Sequence, residues 1–133
     1  MKTIRTVSDL KGRREAILRR QGKQGTTIYV CGGTGCQAYG CQKVGEAFRR
    51  ELRKKASKAV LKITGCPGFC ERGPLVTIQP RDIFYERVKE SDVPQIVRET
   101  VTKGKVIDRL LWDGAGVEGK IVSPGDVPFY RAQ

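Results

Sequence analysis

Five cysteines fall in two bursts, Cys31-Gly-Gly-Thr-Gly-Cys36 with Cys41 close behind, and Cys66-Pro-Gly-Phe-Cys70. Each burst follows an apolar, β-branched run. Loops at the ends of two buried strands can bring four thiolates to one point, and such a quartet holds iron–sulfur or zinc. The ligands must be deprotonated, so the loops have to tolerate a strong local negative charge. Gly32, Gly33 and Gly35 in the first loop, and Gly65 and Gly68 in the second, let the chain curl, including at positive φ. They also free backbone N–H groups to point at sulfur. Pro67 stiffens the second loop, and the basic surface adds a minor, solvent-screened attraction.

The spacings discriminate among metals. Four residues separate Cys31 from Cys36 and three separate Cys66 from Cys70, whereas zinc ribbons carry short Cys-x-x-Cys knuckles. Neither pair is a Cys-x-x-Cys dithiol, which disfavours thioredoxin-type exchange. Spacing therefore favours a 2Fe-2S cluster over zinc and over unligated or redox-active thiols, and both of those stay open. Cys41 is the surplus member. At the start of a helix it reads as a small buried residue rather than a ligand, with a rescue-ligand role as the alternative.

The elements that must position these loops follow from pattern. Ser8 to Gln21 reads as a basic, partly amphipathic helix with Leu10, Ile17 and Leu18, capped at Ser8-Asp9 and ended by Gly22. Thr26 to Val30 is a strand running into the first cysteine loop. Gln42 to Lys55 carries Val44, Ala47, Phe48 and Leu52 at helical spacing. Ala59 to Ile63 is a second strand, parallel to the first after the crossover, so both cysteine loops leave the same edge of the sheet. Leu75–Ile78 and Ile83–Tyr85 form a hairpin around Gln79-Pro80-Arg81-Asp82. A last helix starts at Asp92, turns Val93, Ile96, Val97, Thr100 and Val101 inward and stops at Gly104. The order β-α-β-β-β-α is that of a thioredoxin-like α/β fold with a mixed sheet. The expected division is a basic helical extension over 1–24, the domain over 25–104, and an extended C-terminal arm or linker over 105–133.

With 133 residues and 38% apolar content, the chain suits one domain with loose ends. It has no apolar run of membrane-spanning length, and its start lacks the apolar segment of a signal peptide. A cytoplasmic location is expected, where thiols stay reduced and an odd cysteine count argues for metal or redox chemistry. Lys plus Arg number 26 against 14 acidic residues, a formal net charge of +12 with no histidine. Such a surface attracts polyanions, an acidic redox protein, an acidic face of a larger complex or nucleic acid, or else is a solvated basic face with no dedicated partner. Nucleic acid is the least favoured, because few aromatics stand near the basic residues to stack bases.

The segments Cys31-Gly-Gly-Thr-Gly-Cys36-Gln-Ala-Tyr-Gly40 and Gly65-Cys66-Pro-Gly-Phe-Cys70-Glu-Arg-Gly-Pro74 resemble the thioredoxin-like 2Fe-2S ferredoxins. Within that group the chain most resembles the N-terminal domain of flavoprotein subunits related to the NADH-oxidising subunit of respiratory complex I. Such subunits occur in electron-bifurcating hydrogenases and NAD-dependent formate dehydrogenases. The resemblance spans about residues 25 to 133 and implies that Cys31, Cys36, Cys66 and Cys70 ligate the cluster. It also implies that the segment from Val106 to Tyr130 leads toward a module binding FMN, NADH and a 4Fe-4S cluster. No glycine-rich flavin loop and no third cysteine set follow here, so the chain reads as an excised or free-standing electron-transfer domain. Cys41 and the basic segment before Gly25 depart from the family pattern.

The resulting expectation is one-electron, outer-sphere transfer between a flavin-bearing module and a partner, with no general acid, base or nucleophile of its own. Homodimerisation is left open. Two rivals remain: a structural zinc module binding nucleic acid, and a thiol-based redox or peroxide-handling enzyme using Cys66 with Cys41.

Overall fold

The computed structural model describes residues 3–23, 25–113 and 119–132. Four strands, β1 (Thr27–Cys31), β2 (Val60–Thr64), β3 (Val76–Gln79) and β4 (Ile83–Tyr85), form one sheet in the order β2-β1-β3-β4. β1 pairs parallel with β2, Thr27 opposite Val60 and Cys31 opposite Thr64. It pairs antiparallel with β3, which returns on β4 as the expected hairpin. The mixed sheet and the parallel crossover are thus those of the predicted thioredoxin-like arrangement.

Alternation explains which face is buried. Ile28 and Val30 point to the core from β1, and α3 (Cys41–Lys54) lays Val44, Ala47, Phe48 and Leu52 against that face. Its exposed side carries Lys43, Glu46, Arg49, Arg50 and Arg53. The last predicted helix is irregular: a 3-10 turn (Glu90–Asp92) leads into α4 (Val93–Gln95), which continues as a π-helix (Ile96–Thr102). The wider turn still buries Ile96, Val97 and Thr100, and the Thr102 hydroxyl donates back to the Val97 carbonyl at 2.9 Å. Gly104, at φ +70, ends it as expected, its N–H bonding the Thr100 carbonyl.

The segment after Gly104, expected as an arm, packs on the β4 edge. Ile107, Leu110, Leu111, Trp112, Ile121 and Val127 are all buried in the core. Glu86 N–H bonds the Leu110 carbonyl and Phe84 N–H the Val122 carbonyl, while Trp112 stacks near Phe84. The Tyr85 hydroxyl ties the segment to the last helix, meeting Thr100 Oγ1 at 2.7 Å and accepting from Ile107 N–H at 3.0 Å.

The N-terminal helix, α1 (Val7–Lys23), differs from expectation at both ends. Its cap is Thr6, not Ser8: Asp9 N–H donates to Thr6 Oγ1, and Asp9 Oδ2 accepts from the Thr6 N–H and hydroxyl. This reciprocal pair satisfies the first-turn donors better than Ser8-Asp9 could. Gly22 does not stop the helix. The side chains of residues 3–20 are all exposed, among them Val7, Leu10, Ile17 and Leu18.

Candidate metal centre

Backbone bonds shape the first cysteine loop. β1 delivers Cys31 into the sheet, and Gly32 N–H bonds the Thr64 carbonyl at 2.8 Å, extending the ladder by one residue. A short helix, α2 (Thr34–Ala38), then carries Cys36 inward, held by Gln37 N–H on the Gly33 carbonyl and Gln37 Nε2 on the Gly32 carbonyl. Gly40, at φ +84, turns the chain into α3 so that Cys41 is its first residue.

The second loop leaves the neighbouring strand at the same end of the sheet. Gly68 adopts φ +100 and its N–H donates to Cys66 Sγ at 3.3 Å. Cys70 opens a 3-10 turn (Cys70–Arg72), with Gly73 N–H on the Cys70 carbonyl. Cys66 Sγ and Cys70 Sγ stand 3.1 Å apart.

The two loops interlock through glycines. A Cβ on Gly35 would lie 2.6 Å from the Cys70 Cβ, and one on Gly73 would lie 2.7 Å from the Cys36 Sγ. Positive φ was one expected use of the glycines of the first burst, but Gly32, Gly33 and Gly35 all lie outside that region. What Gly35 supplies is room for the opposite loop; of the five loop glycines named from sequence, only Gly68 uses positive φ. The loops therefore face each other closely: Gly33 lies against Cys66, Gly35 against Cys70 and Gly73 against Cys36, while the only sulfur pair in contact among the described residues is Cys66 with Cys70.

The four differ in environment. Cys31 and Cys36 are 2% and 0% exposed, whereas Cys66 is exposed and Cys70 half-buried. Burial, then the neighbouring Cys31, pushes the Cys36 thiol up to about 12, against an N–H from Leu75. Cys66 is lowered, because its sulfur accepts from Cys70 and from Gly68 N–H, and Cys70 is raised by the same pairing. Cys41 is buried too; burial and then Cys31 raise its thiol. Cys41 and Cys31 line the same cleft between α3 and the first loop.

The donor set fits a dinuclear cluster. Among the described residues no group of three or more Cys, Asp or Glu side chains is placed to hold a single metal ion, and the chain has no histidine. Four cysteines on two facing loops match the donor number of a 2Fe-2S centre and equally that of tetrahedral zinc.

Three features beside the cysteines had no sequence forecast. Phe69, inside the second loop, packs against Trp112, Phe129 and Tyr130. Arg72, two residues beyond Cys70, bonds Glu86 at 2.9 Å and Asp113 at 3.0 Å and lies over the Trp112 ring. Burial raises the Glu86 carboxyl against the pull of Arg72, while Arg72 lowers the exposed Asp113. Finally, a cleft of about 450 Å³ beside the first loop is lined by Tyr39, Lys43, Pro74, Arg87 and Lys89. Only the Phe129-Tyr130 pair, aromatic residues at the end of an otherwise polar stretch, offered a signal.

Comparison with known proteins agrees with this geometry. The family model for thioredoxin-like [2Fe-2S] ferredoxins matches residues 16–101. The 2Fe-2S ferredoxin of Clostridium pasteurianum is 34% identical over 95 residues, covering 62% of this chain and 91% of that protein. The NADP-reducing hydrogenase subunit HndB of Solidesulfovibrio fructosivorans is 30% identical over 117 residues, covering 84% of this chain and 93% of that protein. The crystal structure of the wild-type thioredoxin-like [2Fe-2S] ferredoxin from Aquifex aeolicus superimposes with a TM-score of 0.61 at 26% identity. That match covers 68% of this chain and 99% of that one.

Proposed function

Since this chain belongs to the thioredoxin-like [2Fe-2S] ferredoxin family, whose members are electron carriers built on a 2Fe-2S cluster, we propose that Cys31, Cys36, Cys66 and Cys70 hold that cluster. We further propose that the chain serves as the one-electron relay of an NADH-linked oxidoreductase complex. The interlocking of the two loops supports the ligand reading: Gly35 against Cys70, Gly73 against Cys36 and Gly33 against Cys66 bring the two cysteine-bearing loops face to face. When bound, the cluster accepts and returns single electrons.

The chain's own part is to hold, expose and tune. Cys31 and Cys36 anchor the site in the core, while Cys66 and Cys70 bring it to the surface, where outer-sphere exchange needs no substrate pocket. Donors such as Gly68 N–H on Cys66 favour the thiolate and set the potential. A hydrogenase subunit among the relatives supports a place in a multisubunit redox complex. There a flavin-bearing module, holding FMN, NADH and a 4Fe-4S cluster, would exchange electrons with this domain. The basic surface supports an acidic partner face. In this reading 25–104 is the carrier, 105–133 the approach to the flavin module, and 1–24 a separate extension.

Anaerobic purification with iron and acid-labile sulfide assays, and electron paramagnetic resonance after reduction, tests the assignment. Serine at Cys31, Cys36, Cys66 or Cys70 is expected to abolish or strongly alter the reduced-state spectrum, and Cys41→Ser to leave it intact. Loss of the cluster in Cys41→Ser with retention in one of the other four would refute the ligand set.

A further inference from the structure

The two cysteine loops are secured by different means. Backbone and amide bonds to β2 and within α2 hold the first. The second is held at its ends, by the Thr64 hydroxyl on the Gly65 carbonyl and by Arg87 and Val88 N–H on the Arg72 and Pro74 carbonyls; between them Gly65 and Gly68 are exposed, and the internal bonds are the Gly68 N–H on Cys66, the Cys66–Cys70 contact and the turn closed by Arg72 N–H and Gly73 N–H. What grips its middle comes from the far end of the chain. The short helix α5 (Pro128–Arg131) is anchored by Val127, 1% exposed. From there the Tyr130 hydroxyl donates to the Pro67 carbonyl, 63 residues away in sequence. Phe69 sits edge-on in a box of rings, with centroids 4.8 Å from Trp112, 5.4 Å from Tyr130 and 5.7 Å from Phe129. Edge-to-face contacts of this kind are directional and fix ring orientation as well as burying area.

We propose that Phe129 and Tyr130 form a positioning clamp on the second cysteine loop, fixing where the Cys66 and Cys70 sulfurs stand relative to Cys31 and Cys36, and so the lability and potential of the cluster. The proposal rests on the ligand assignment above. Pro67 and Phe69 bracket Gly68 between the two cysteines, so a grip on both removes the freedom that a glycine at φ +100 leaves in the backbone. Arg72 over Trp112 secures the end of the loop beyond Cys70. Tyr130 and Phe129 act through the loop and touch no reacting partner; theirs is the role of an outer-shell support.

Variants of the full chain test the clamp. Tyr130→Phe keeps the ring and removes the bond to Pro67, Tyr130→Leu removes both, and Phe129→Ala removes a ring at a position already 54% exposed. In the metal-free, reduced chain, alkylation of Cys66, measured against buried Cys36 as internal reference, is expected to speed up on Tyr130→Leu and less on Tyr130→Phe. In the cluster-loaded chain, iron loss to a chelator is expected to rise about tenfold in Tyr130→Leu, the lower end for loss of an outer-shell partner. The resonance g-values and midpoint potential are expected to shift, and Tyr130→Phe to recover most of each change. Wild-type Cys66 reactivity, g-values and potential in a Tyr130→Leu chain with native circular dichroism would overturn the proposal. If that variant does not fold, Phe129→Ala carries the same readouts and the same criterion. A Cys66→Ser chain that still binds a full cluster refutes the ligand assignment instead, and the metal-free alkylation then decides the clamp alone.

Discussion

One methyl group is enough to separate the two halves of the thiol set. Replacing Gly35 by alanine puts a carbon 2.6 Å from Cys70 Cβ and 2.9 Å from its sulfur, and although the sulfur can rotate, the Cβ cannot move away without moving the loop. Overpacking of this kind typically costs about 1–3 kcal/mol, and here it falls on the contact that aligns the cysteines. Gly35→Ala is therefore expected to keep the α/β circular dichroism while iron content drops well below that of the unmutated chain; full iron occupancy would show that the close approach is dispensable. At this scale the sequence was partly legible. Spacing marked Cys31, Cys36, Cys66 and Cys70 as candidates because metal donors come in short clusters, and the structure sets the two loops that carry them face to face. Of the glycines, Gly68 shows both expected uses, positive φ and an N–H on sulfur, whereas the close approach at Gly35 was not legible, since composition signals backbone freedom and says nothing about which atom lies opposite. Tyr130 on Pro67 was not legible at all, because a contact across 63 residues leaves no local periodicity.

Elements with a strong period were the most readable. β1 and β2 are β-branched runs, α3 carries a clean apolar stripe, and the crossover rule then makes the strands parallel and both loops exit together. The last helix was located, but its π geometry was not, because a widened turn buries nearly the same residues as a regular one. α1 shows what a pattern without tertiary support can and cannot specify. Its basic sequence predicts the helix, while the choice of Thr6 over Ser8 as cap depends on hydrogen bonds that both residues have the chemistry to make. The Thr6 hydroxyl, followed by the Arg5 and Thr6 N–H groups, holds the Asp9 carboxyl below its usual value of 3.8. A carboxylate depressed on folding stabilises the helix above the unfolded pKa, and that contribution disappears as pH falls through the folded value. Thr6→Ala is expected to return the Asp9 titration, followed by carbon NMR, toward 3.8, and to lower amide protection in the first turn at neutral pH. An unmoved titration curve would discard the reciprocal cap.

At the scale of the molecule, charge and burial are both asymmetric, and the two asymmetries meet at the candidate centre. Cys31 and Cys36 face the core, Cys70 is half-buried and Cys66 is exposed, while a cleft lined by Lys43, Arg87 and Lys89, with Glu90 paired to Arg50, borders the first loop on a chain of net charge +12. A second basic surface, Lys11, Arg13, Arg14, Arg19 and Arg20 on α1, is exposed and carried by a different element. Composition announced the charge, yet could not separate these surfaces, because a net charge carries no position. If the cleft steers an acidic redox partner, the second-order rate of electron exchange with such a protein falls as salt shortens the Debye length from about 30 Å at 0.01 M to about 8 Å at 0.15 M. Electrostatic steering accelerates association by roughly 10–1000-fold, so a tenfold decline over that range is expected in stopped-flow measurements. Reversing Lys43, Arg87 and Lys89 to glutamate should remove most of the salt dependence, and reversing Lys11, Arg13 and Arg14 should remove little. The opposite ranking would place partner docking on α1, and a flat salt profile in the unmutated chain would remove electrostatics from the encounter altogether.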